Sequence, residues 1–80
     1  MSGSKWILEV YLVKMASVVD HIATIEFDSL VQLRLALART HDRKYIVELP
    51  ADASAADRIT LLDLRAQGID IAIRAYRGGL

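Results

Sequence analysis

Residues 6–13, WILEVYLV, fall into two rows with the two-residue period of a strand. Trp6, Leu8, Val10 and Leu12 point one way; Ile7, Glu9, Tyr11 and Val13 point the other. MAS (15–17) carries a weak turn signal, and residues 18–27, VVDHIATIEF, read as a second strand antiparallel to the first. In it Ala23, Ile25 and Phe27 oppose Ile22, Thr24 and Glu26. Asp28 or Ser29 then offers a side-chain oxygen to an unpaired first-turn N–H, so a helix is expected from Leu30 to about Arg39. THDR is a turn, and KYIVEL (44–49) is a third strand, closed by Pro50, which cannot donate to a ladder.

Ser54 with Asp57 three residues on resembles a capping box, and Gly68 stands where a helix C-terminus wants a left-handed residue. A second helix between them is the clearest element. IDIAIRAY (69–76) follows as a fourth strand with Ile69, Ile71 and Ile73 on one face, and RGGL is read as a frayed tail. The order β-β-α-β-α-β predicts an α/β fold, with an α+β two-layer sandwich as the alternative description. A four-stranded mixed sheet would carry both helices on one face. Two successive β-α-β units favour right-handed crossovers and parallel strand pairs.

The same patterning leaves apolar surface over. At about 100° per residue, Ala55, Ile59, Leu62 and Ala66 make the stripe expected to face the sheet, which puts Leu61 and Leu64 on the far side. In the first helix, Leu30, Val31, Leu33, Leu35, Leu37 and Ala38 cover an arc of roughly 200°, about twice what one stripe needs. Arg34 sits near the middle of that arc. It either snorkels, stem packed and guanidinium in water, or pairs with a carboxylate across an interface. The expected core face of the sheet holds Trp6, Leu8, Val10, Ile25, Phe27, Tyr45, Val47, Leu49, Ile69, Ile71 and Ile73. The other face mixes Ile7, Tyr11, Val13, Ile22, Ile46, Ala72 and Tyr76 with Glu9, Thr24, Glu26, Lys44, Glu48, Asp70 and Arg74, a half-wet surface that a partner can cover.

Composition sharpens this. Eighty residues make one small domain, near the size below which disulfides, metals or self-association usually help. There is no cysteine, and two histidines are a poor basis for a structural metal. Hydrophobic residues make up 54% of the chain, an excess for so small an interior. The formal net charge is zero, which supplies no long-range pull on nucleic acid or anionic membrane. The first apolar run is too short to span a membrane, and the N-terminus lacks the basic region of a signal peptide, so a cytoplasmic location is expected. The opening MSGS reads in part as an expression scar and is left out of the fold.

Candidate chemistry is thin. His41-Asp42 evokes metal-dependent phosphohydrolases, but those need further His and Asp ligands on a helical scaffold; here THDRK reads as a turn after a helix, its cations suited to the helix dipole. Ser17, Ser29 and Ser54 each have a turn or cap explanation, no Ser-His-Asp order is recognisable, and the only GG pair precedes no helix. Nucleic-acid binding across the sheet would use Tyr11 and Tyr76 for stacking, with Arg39, Arg43, Lys44, Arg74 and Arg77 as a modest basic patch. The acids on the same face repel phosphate, and the signature of an RNA-recognition motif is missing.

In size, and in lacking catalytic motifs, the chain is similar to small phage or mobile-element proteins that block host defence, anti-CRISPR inhibitors among them. That similarity implies a protein that occupies a partner's working surface. The expectation is therefore a non-enzymatic interaction protein without cofactor or metal. It would bind itself as a homodimer, a larger protein complex, or both, through Arg34, Leu35, Leu61, Leu64, Tyr11 and Tyr76. Glu9, Glu26, Glu48 and Asp70 would form an acidic face able to mimic phosphates. A small nucleic-acid-binding protein and a designed chain without biological function are the alternatives.

Overall fold

The computed structural model describes residues 5–15 and 18–76. Its elements run β1 (Trp6–Met15), β2 (Val18–Phe27), α1 (Leu30–Leu35), β3 (Arg43–Glu48), α2 (Ala55–Ala66) and β4 (Ile71–Arg74). The four strands form one mixed sheet in the order β2-β1-β3-β4. This is the expected α/β, β-β-α-β-α-β arrangement. The expected MSGS and RGGL ends, and Ala16 and Ser17 of the first turn, lie outside the described residues.

Strand β1 sits inside the sheet, antiparallel to both β2 and β3. Only β3 and β4 form a parallel pair, joined by the α2 crossover. The other β-α-β unit does not produce one, because β1 lies between β2 and β3. The β1–β2 ladder slips between Val10 and Tyr11, where Tyr11 pairs with His21 and leaves Ile22 as an extra residue. A bulge of this kind breaks the alternation of faces.

The core is Trp6, Leu8, Tyr45, Val47, Leu49, Ile69 and Ile71 from the sheet side, closed by Leu33 of α1 and by Leu61 and Leu64 of α2. Val10, Phe27 and Ile73 pack at its margin. Ile25 was expected there too but is exposed, since β2 is an edge strand beside a short helix.

Helix α1 ends four residues earlier than its apolar pattern predicts. Ser29 caps it, accepting from Gln32 N–H at 3.3 Å. Its last N–H groups turn to carbonyls three residues back (Ala36 to Leu33, Leu37 to Arg34), and the N–H of Ala38 donates to the Tyr45 hydroxyl at 3.0 Å. A side chain of β3 thus takes the donor that a further helical turn would use.

Helix α2 has the predicted capping box. Asp57 N–H donates to Ser54 Oγ and Ser54 N–H to Asp57 Oδ2, both at 3.1 Å. At the other end Gly68 takes φ +105°, Gly68 N–H donates to Arg65 O, and Ile69 N–H donates to Leu64 O. This is a Schellman closure, in which the residue after the glycine packs on the residue three from the helix end. Here that pair is Ile69 and Leu64, both buried.

The closure fixes the roll of α2 and corrects the sequence expectation. Leu61 and Leu64 face the sheet, with Leu61 fully buried. The stripe expected to face inward, Ala55, Ile59, Leu62 and Ala66, faces solvent.

Candidate functional site

Two surfaces carry side chains that could act on something else. The first is the sheet face that bears no helix. Pairing aligns Glu26, Ile7, Glu48 and Arg74 in one rung and Thr24, Glu9, Ile46 and Ala72 in the next. Arg74 reaches back across β3 to Glu9, with its two guanidinium nitrogens 2.9 and 3.3 Å from the carboxylate oxygens. It also stands 3.7 Å from Glu48 Oε1. The Tyr11 hydroxyl donates to Glu9 Oε1 at 2.7 Å. The bulge at Ile22 brings His21 beside Tyr11, ring centroids 5.2 Å apart and edge-on, and its Nε2 is 2.7 Å from Thr24 Oγ1.

Within this network the Glu9–Tyr11 pair is not tuned for acid–base work. The Tyr11 hydroxyl, then the Arg74 guanidinium, hold the Glu9 carboxyl below its ordinary value. The same bond to Glu9 pushes the Tyr11 hydroxyl up. An acid–base group needs a pKa drawn toward neutrality; these two move away from it. Among the described residues no group of three or more His, Cys, Asp or Glu is placed to hold a metal. The four acids expected to act together are also divided. Glu9 and the buried Glu48 share Arg74, while Glu26 is exposed on β2 at the far end of the Glu48 rung and Asp70 is exposed just before β4. Of the four acids of the expected phosphate-mimicking face, two are thus engaged by Arg74 and two, Glu26 and Asp70, are exposed.

The second surface is the outside of the helical layer. Ile59 and Leu62 are 58% and 49% exposed, between the exposed Ala55 and Ala66. On α1, Val31 is 68% and Leu35 85% exposed. Val31, Arg34 and Leu35 line a shallow hollow of about 340 Å³ with Leu64. Arg34 is exposed and stands beside this apolar surface.

The six residues expected to form an interface do not share one surface. Arg34 and Leu35 lie on the helical layer, with Leu64 at the margin of their hollow. Leu61 is core, Tyr11 lies on the opposite face of the sheet, and Tyr76 follows β4. Sequence reasoning missed Ile59 and Leu62 as surface residues. The signal that marks them is local: Gly68 followed by apolar Ile69 turns Leu64, and with it Leu61, inward. It also missed His21 beside Tyr11, which depends on a bulge that the alternation does not reveal.

Compared with known proteins, the chain matches no family model, no curated protein and no solved structure. Among the described residues no helix is long and apolar enough to cross a membrane.

Proposed function

We propose that the protein is a small, non-enzymatic interaction module of the cytoplasm. In this reading it pairs with itself and acts by covering a partner protein's surface, in the manner of a phage or mobile-element inhibitor. One observation carries the reading: α2 is apolar on both sides, and its outward stripe through Ile59 and Leu62 lies in water, as do Val31 and Leu35 of α1. Scattered exposed leucines are ordinary, but several large aliphatic side chains on one layer are the usual mark of an association surface. Nucleic acid is left out of this reading. The net charge is zero, and Arg74 on the open sheet face is held by Glu9.

The test is sedimentation of the whole chain over a wide concentration range. Self-association is expected, and Ile59→Lys with Leu62→Lys should give a folded monomer. A single-chain species persisting to about 1 mM, where a contact worth only about −4 kcal/mol is half formed, would remove the proposal.

A further inference from the structure

We infer that the occupant of the α2 surface is a second copy of this chain, with the two α2 helices side by side and parallel about a two-fold axis. The inference rests on the self-association proposed above and adds its orientation and contacts. The exposed stripe Ala55, Ile59, Leu62, Ala66 has the 4-3-4 spacing of a coiled-coil seam, d-a-d-a. That register places Ile59 at a and Leu62 at d, and a β-branched a with leucine d is the combination that favours two parallel strands.

The flanks decide the orientation. Arg58 and Arg65 occupy the g positions on one side of the seam, and Ala56 and Asp63 the e positions on the other. In a parallel pair each g residue faces the e residue five positions further along the other helix, so Arg58 meets Asp63 of the second copy, twice by symmetry. An antiparallel pair would bring like flank to like flank, setting Arg58 and Arg65 against the same arginines of the second copy. All three charged residues are exposed, and among the described residues no ion pair within the chain engages them.

Size sets the strength. Helix α2 is 12 residues long, about 18 Å, so its seam alone falls short of the roughly 800 Å² per partner of a tight complex. The pair is therefore expected to dissociate on dilution.

The chain has no cysteine, so one introduced thiol reports cleanly. Ala55→Cys and Ala66→Cys are made separately in the full chain and oxidised at high protein concentration. The parallel arrangement predicts that each variant alone links to itself, because equivalent seam positions face each other. Sedimentation supplies the second measurement. Arg58→Asp should weaken association by about tenfold by facing Asp63 with a like charge, and Arg58→Asp with Asp63→Arg should restore it. Links that form only when the two cysteine variants are mixed, or association that Arg58→Asp tightens, would overturn the parallel pairing while leaving self-association intact. A dimer indifferent to Ile59→Lys would place the contact elsewhere and overturn it equally. A monomer at millimolar concentration would overturn both the pairing and the reading beneath it.

Discussion

The hydroxyl of Tyr45 accepts the N–H of Ala38 at 3.0 Å, so a buried side chain of β3 closes the segment that leaves α1. Tyr45→Phe keeps the packing and removes the acceptor. A loss of about 1 kcal/mol in denaturant unfolding is expected, the usual worth of such a bond. No change in stability would mean that water replaces the hydroxyl without cost.

Leu61 and Leu62 adjoin in sequence and face opposite ways, one fully buried and one half in water. Leu61→Ala should cost about 2–5 kcal/mol by opening a cavity, much of the stability of so small a domain. Leu62→Ala should change unfolding of the isolated chain by no more than about 0.5 kcal/mol. Equal losses at both positions, measured in dilute solution where association is absent, would contradict the roll of α2.

Glu9 links stability to pH. Its folded carboxyl titrates below its ordinary value because Tyr11 and Arg74 favour the ionised form. Its contribution is therefore fully present above the unfolded value, about 4.3, and is lost as pH falls through the lower folded value. Glu9→Gln should flatten the stability profile in that acidic window. In Tyr11→Phe, the Glu9 carboxyl followed by NMR should titrate higher than in the parent, since the largest cause of its depression is gone. An unchanged titration would assign the effect to Arg74 alone.

Gly68 holds φ +105°, a conformation that side chains with a Cβ resist. The nearest atoms to an added methyl belong to the Arg39 side chain at 3.8 Å, so space is not the obstacle. Gly68→Ala should cost about 1–2 kcal/mol through backbone strain, read by thermal unfolding. A neutral result would show that the end of α2 relaxes into another closure.

The strands and the sheet's buried row were legible because a two-residue period admits few faces. Trp6, Leu8, Val47 and Ile71 are buried where the alternation places them. The helices were harder. Counting apolar positions on α2 favours the longer stripe through Ile59, yet two buried leucines and the Gly68 closure outweigh it. The apolar run of α1 overshoots because Tyr45, distant in sequence, claims the Ala38 donor. The ion pair of Glu9 and Arg74 was beyond reach for a similar reason. It joins residues 65 apart and follows only from the order β2-β1-β3-β4.

That order also shapes how the chain is made. On the ribosome β1 can zip to β2 at once, while its other edge waits for Arg43–Glu48 to be synthesised. β3 then waits in turn for Ile71–Arg74. Until each partner strand is made, the nascent chain thus carries an open row of backbone donors and acceptors, next to the greasy side chains first of Leu8 and then of Val47. Chaperone demand should accordingly fall in two steps, as β3 and then β4 become free to pair.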